Sequence, residues 1–340
     1  MSFAKKSALW AVVVALFATI LSGCSSNNEQ ASDVTELTIY SGRSEEYNGT
    51  ILEDWEKQSG IKLNIRYGDS AELAAQILEE GSNSPADLFV SQDAGSLGAV
   101  SAAGLLMTLD SNVAKEVPAQ FVASNRTWVG MTGRARVLAY SPERAATLPQ
   151  SVADLTNPIY KNKVGIAPTN ASFQTFVTAL IENKGEAFTK KWLSDMKANG
   201  AKIYAKNSLI VEAIDKGEID FGLVNHYYLW ETSESLGRPV KAKNHFFAPG
   251  DLGNLINVSG VGVLASSKKQ AAAIDFINYL TSTKIQTKFV AQSHEYSLIP
   301  GAQPAEGLPA LEDIGAPNVD LNSLANLKRT QALLIEVGLL

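Results

Sequence analysis

The chain has 340 residues, 45% apolar and 19% charged, enough to bury the cores of two ordinary domains and too apolar to be disordered by composition. A net charge of −6 argues against nucleic-acid binding through basic patches. A single cysteine, Cys24, and three scattered histidines, His226, His245 and His294, exclude a disulfide scaffold, a cysteine-rich zinc site and the short-range His pairs of zinc hydrolases.

Lys5 and Lys6 precede an apolar run over residues 8–21 that is short for a membrane span. The run ends in Leu21-Ser22-Gly23-Cys24, the pattern of a bacterial lipoprotein signal. The expectation is a signal over 1–23, lipidation of Cys24 and a polar tether over 24–34. The processed chain would carry 27 basic against 35 acidic side chains and hang outside the membrane, at the cell surface or in the periplasm. No phosphate-binding loop and no GxGxxG after a strand occurs.

Residues 37–40 read as a strand, 50–58 as a helix, 61–67 as a strand, 72–80 as a helix and 86–90 as a third strand. That order predicts a parallel sheet covered by helices. A helix over 96–103 follows, then a strand over 137–140. Further on come strands at 163–167, 201–204, 219–224 and 261–264. Helices are expected at 173–182, 186–198, 210–216 and 270–280. Residues 300–309 read as a Gly/Pro loop, and the segments near 323–327 and 330–335 as packing back on a lobe. Trp55, Trp128, Trp192 and Trp230 are most simply core. Two α/β lobes facing each other would share one cleft at the carboxyl ends of their strands.

Four segments stand in a telling order: LTIYSGR at 37–43, ADLFVSQDAGSLGAVSAAGLL at 86–106, WVGMTGRARVLAY at 128–140 and KGEIDFGLVNHYYLW at 216–230. Together they resemble the ferric-iron-binding extracytoplasmic proteins of ABC importers, the bacterial transferrins, over essentially all of 35–335. The resemblance implies a two-lobed α/β periplasmic-binding-protein fold of the class II type, with two parallel or mixed sheets flanked by helices. Lobe 1 would hold 35–133 plus 258–340 and lobe 2 would hold 134–257, joined by two hinge crossings. It also implies delivery of Fe3+ to an ABC permease and its ATPase. A monomer is expected, and the lack of GxSxG, a His-centred triad and a supported carboxylate pair argues against a further reading, an exported hydrolase.

Tyr227 and Tyr228 follow a predicted strand and so sit at its carboxyl end. Fe3+ is a hard cation that prefers oxygen donors, and two phenolates supply two such oxygens and two charges. Adjacent strand residues face opposite sides, so only a turn or helix start would aim both at one ion. Packing between lobes is the alternative use of such a pair. Where the family often carries a histidine and an acid, this chain has Ser44 and Gln92. Glu45, Glu46 and Asp93 are neighbouring substitutes. The position of a third tyrosine used by some members is Phe173.

These departures point to an anion-assisted site, and the resemblance implies phosphate or carbonate as the anion. The helix expected at 173 has Asn170, Ala171 and Ser172 at its start, where free N–H groups suit an anion; plain N-capping fits equally well. By the resemblance, Arg134 borders the anion, with Arg136 as its competitor, since strand alternation is expected to let only one face the cleft. Arg43 is another anion partner, and Asn207 and Asn225 match positions that orient ligands. The rival readings are the same fold binding a phosphonate, organophosphate or other small anionic solute, and a sensory lipoprotein. His226 is expected to be structural.

Overall fold

The computed structural model describes residues 34–43 and 45–340. The expectations for the signal, Cys24, nearly all of the tether and Ser44 lie outside the described residues.

Strand β1 (Glu36–Ser41), α1 (Glu45–Ser59), β2 (Lys62–Tyr67), α2 (Ser70–Glu80), β3 (Leu88–Ser91) and α3 (Ala94–Ala102) follow the expected order, with β1 parallel to both β2 and β3. Leu37 and Ile39 of β1, Ile51 and Trp55 of α1 and Leu88 and Phe89 of β3 fill the core between sheet and helices. Asp69 and Asp93 each cap a helix by accepting backbone N–H groups, which fixes α2 and α3 just beyond the strand ends.

Next comes β4 (Val129–Tyr140), much longer than the expected 137–140, because Thr132, Arg134 and Arg136 interrupt its apolar pattern while remaining buried. The second half adds β5 (Val164–Ile166), α4 (Ala171–Lys184), α5 (Glu186–Ala198), β6 (Lys202–Ile203), α6 (Asn207–Lys216), β7 (Phe221–Asn225), α7 (Tyr228–Leu236) and β8 (Lys243–His245). The chain returns through β9 (Ile256–Val263), α8 (Gln270–Leu280), α9 (Thr283–Ser293) and β10 (Tyr296–Ser297), and ends with α10 (Leu327–Glu336).

The sheet order is β2-β1-β3-β9-β4-β7-β5-β6, with β8 and β10 pairing onto β4. It is mixed rather than parallel. β9 runs antiparallel to β3 and β4, and β7 antiparallel to β4. β4 is the shared member: Val129–Ala135 pairs with β9, and Arg136–Tyr140 pairs with β7. Close packing of α6 on β7 needs Gly222, whose added Cβ would lie 2.1 Å from Ile210 Cγ2. In contrast with the expected assignment of all of 258–340 to lobe 1, α10 packs on α4 of the second half. Thr330 and Thr178 share a 2.7 Å hydroxyl contact there. Trp55, Trp128 and Trp192 are core as expected, whereas Trp230 is only half-buried and stacks on His294 at 5.5 Å.

Asp215, at the end of α6, accepts from Arg238 Nη2 at 2.6 Å and from the Lys241 backbone N–H at 2.8 Å. The Arg238 hydrogen bond, helped by that N–H, holds its carboxyl below the usual range. A depressed acid contributes stability above its unfolded value, about 3.9, and loses it as pH falls through the folded one. Asp215→Ala is therefore expected to cost about 1–3 kcal/mol at neutral pH and less below pH 4, read from urea midpoints at both pH values.

Candidate functional site

Strand β7 stops at Asn225, and the next three residues turn the chain into α7. Tyr227 has helical backbone angles, φ −71° and ψ −16°, and its carbonyl accepts the N–H groups of Trp230 and Glu231. The expected turn after the strand is thus present, and it places the two tyrosine rings together, 4.5 Å apart and 29° from parallel. Tyr227 is buried and Tyr228 half-buried. Burial, and next the neighbouring Tyr228, push the Tyr227 phenol well up, against a lowering pull from Arg134.

Between them, His226 is a fastener. Its Nδ1 accepts the Ala135 N–H at 3.1 Å and its Nε2 donates to the His294 carbonyl at 2.8 Å. Burial lowers its pKa to about 4, so it is neutral and its ring nitrogens are committed, in line with the expected structural role.

A cavity of about 350 Å³ opens beside the tyrosines, and Arg134, Asn170, Ala171, Ser172 and Asn225 all line it. Asn170 caps α4 by accepting the Ser172 N–H at 3.0 Å. Ser172 Oγ–H donates to Asn170 Oδ1 at 2.6 Å, and Asn207 Nδ2 donates to both side chains at 3.2–3.3 Å. Capping and a polar wall are therefore one arrangement, with Asn207 holding the wall from α6.

Of the two strand arginines, Arg134 lines this cavity and Arg136 is joined to it only through the lining residue Ser172. Residues two apart on a strand share a face. Arg134 donates to the Gln92 carbonyl, and Arg136 Nη1 donates to Ser172 Oγ at 3.2 Å. Arg136 Nη2 is held by the Leu223 carbonyl at 3.0 Å, and its guanidinium lies 5.4 Å from the centres of the Phe173 and Phe176 rings. Phe173 is thus a buried support for Arg136. Burial pulls the Arg136 pKa down, to about 9, while Tyr228 and Tyr227 raise it; it still carries its charge at neutral pH. Among the described residues Arg136 makes no ion pair with a carboxylate. A desolvated cation with no acid beside it favours negative charge at this spot, either an anion or ionised phenols.

The first half contributes Gln92 and Asp69, which line this cavity and a second one of about 380 Å³ that the tyrosines also line. Arg43 lines the second cavity as well, but it is buried and donates to Glu295 Oε1 at 2.8 Å, which makes it a buried ion pair instead of a free anion partner. Asp93 is spent on capping α3, and Glu45 is exposed. No group of three His, Cys, Asp or Glu side chains among the described residues is arranged to hold a metal. Sequence reasoning missed Asn257, Tyr67 and Glu295, which lie outside any recognisable motif and enter the site only through strand order.

The family model described as "Bacterial extracellular solute-binding protein" matches residues 83–326, a span that holds both tyrosines, both arginines and the α4 start. The chain belongs to the bacterial extracellular solute-binding proteins. This solute-binding protein is 35% identical over 316 residues to the "Fe(3+)-binding periplasmic protein" of Serratia marcescens, covering 92% of this chain and 93% of the relative. Iron-bound HitA from Pseudomonas aeruginosa superposes with a TM-score of 0.81 at 32% identity, covering 89% of this chain and 99% of HitA. Trichodesmium IdiA (FutA), in complex with iron and citrate ligands, superposes with a TM-score of 0.79 at 26% identity, covering 89% and 99%. The fold is thus that of periplasmic binding proteins, as expected. No helix among the described residues is long and apolar enough to cross a membrane.

Proposed function

We propose that this solute-binding protein captures ferric iron with a synergistic oxygen-donor anion between its two sheet halves and delivers it to an ABC permease driven by its ATPase. The observation that carries the reading is the stacked Tyr227–Tyr228 pair at a strand end, set against a desolvated arginine wall. Phenols supply hard, anionic oxygens once a strong Lewis acid displaces their protons. The positive wall of Arg134, Arg136 and the α4 N-terminus stabilises those phenolates and the anion together. Phosphate and carbonate both fit such a wall, and the name of the citrate-bound relative adds a polycarboxylate chelate to the candidates. The names of the relatives favour ferric iron over an organophosphate.

In this reading the halves are lobes, with 35–133 and most of 258–340 in one and 134–257 with α10 in the other. β4 and β9 form the two hinge crossings, and bound iron shifts the equilibrium toward the closed form. Lipidation of Cys24 would tether a monomer outside the membrane. The role is binding and release, not catalysis.

A lipid-free preparation titrated with ferric citrate is expected to develop a saturable visible charge-transfer band whose strength depends on added phosphate or carbonate. No band with any of these anions would overturn the reading.

A further inference from the structure

We propose that Tyr67 supplies a third phenol oxygen to the ferric ion, from the half opposite Tyr227 and Tyr228. The inference rests on the proposed ferric function. Tyr67 is the last residue of β2, at the carboxyl end of a parallel strand, where ligands gather in open α/β sheets. It lines the cavity of about 380 Å³ together with Tyr227, Tyr228, Gln92 and Glu295. Thus one cavity holds three phenols drawn from both halves.

The Tyr67 hydroxyl makes no hydrogen bond among the described residues, and the residue is 38% exposed. Tyr40 donates to Glu80 at 3.0 Å and Tyr279 to the Ile51 carbonyl at 2.9 Å, whereas the Tyr296 hydroxyl also lacks a partner but is buried away from this cavity's lining. An uncommitted phenol at a cavity wall is open to a ligand. Burial, and secondarily the Glu45 carboxylate, push its pKa up, so it is neutral until a strong Lewis acid approaches.

Charge balance points the same way. The histidine and acid expected of close relatives are replaced by Ser44 and Gln92. The nearest buried acid, Glu295, already serves Arg43 and the Thr132 hydroxyl. Two phenolates leave a ferric ion with one positive charge in excess, which a third phenolate shares with the synergistic anion in neutralising. A donor from the first half also gives the ion a direct grip on both halves, which a site built on Tyr227 and Tyr228 alone lacks. Bridging of this kind is what couples ion binding to closure.

The test uses Ga3+, a redox-inert ion of the same charge, with ultraviolet difference spectra counting phenols ionised per ion bound. Citrate is present as the carrier. The wild-type chain is expected to ionise about three phenols per ion and Tyr67→Phe about two, with the ferric charge-transfer band weakened in the same variant. Tyr67 is partly exposed and its hydroxyl is unpartnered, so the variant keeps the fold, checked by an unchanged urea midpoint. Equal counts in both proteins would overturn the Tyr67 assignment while leaving the ferric function standing. A wild-type count of zero would instead overturn the ferric function itself.

Discussion

Replacing Tyr227 with phenylalanine is expected to lower ferric affinity by on the order of a thousandfold, or about 4 kcal/mol. The ring is buried and stacks on Tyr228 at 4.5 Å, so phenylalanine keeps the packing and removes only the oxygen. That oxygen carries a full charge in the bound state. Its loss also leaves Arg136 with one less phenolate to offset its burial. Tyr228→Phe is expected to act similarly, and the double variant to lose both affinity and colour. Competition against graded citrate measures the affinity directly. Retention of tight ferric binding by the double variant would sink the tyrosine site, because no cluster of histidines and acids among the described residues stands ready to replace it.

The second large effect concerns stability. Glu295→Ala is expected to cost about 3–5 kcal/mol, because it removes the buried carboxylate that receives hydrogen bonds from both Arg43 and Thr132. Both side chains are nearly inaccessible, at 3% and 4% exposure, and the pair is 2.8 Å apart. Glu295 also accepts the Thr132 hydroxyl, and Thr132 meets Ser259 on β9. The carboxylate therefore ties the segment after β1 to strands β4 and β9. Burial alone would raise its pKa, but the charges of Arg43 and Arg134, with the hydrogen bonds from Arg43 and Thr132, hold it below the ordinary value. Its contribution is thus present above about pH 4.3 and is lost as pH falls through the folded value. Glu295→Gln should accordingly flatten the acid limb of the stability profile. Urea midpoints at neutral pH give the size of the effect; a loss below about 1 kcal/mol for Glu295→Ala would refute a structural role for the pair. Replacing both partners with apolar residues is expected to recover much of the loss.

The two tyrosines were legible because their meaning is local. A strand pattern, a break and two phenols fall within a dozen residues, and the turn that joins their rings follows from where the strand stops. The α4 start was legible for the same reason, since an asparagine before a helical pattern caps it whether or not an anion binds. Helices over 228–236 and 283–293 went unread because polar residues mix through their buried faces. Strand β4 was read at a third of its length because its buried arginines and threonine look like solvent-facing positions. They are buried because the cavity and the Arg43–Glu295 cluster take up their polar groups, which no window along the chain reveals.

The order of most elements, the fold class, the tyrosine pair at the end of its strand and the capped helix start were thus legible in the sequence itself. Only the tertiary structure decided that Arg136 braces the Ser172 wall beside Arg134, that Arg43 is committed to an acid 252 positions away, and that Tyr67 lines one cavity with the tyrosine pair. The physical reason is the difference in range. Periodicity and capping act over a few residues, whereas these contacts depend on β9 returning antiparallel between β3 and β4, a choice made by burying whole strands at once.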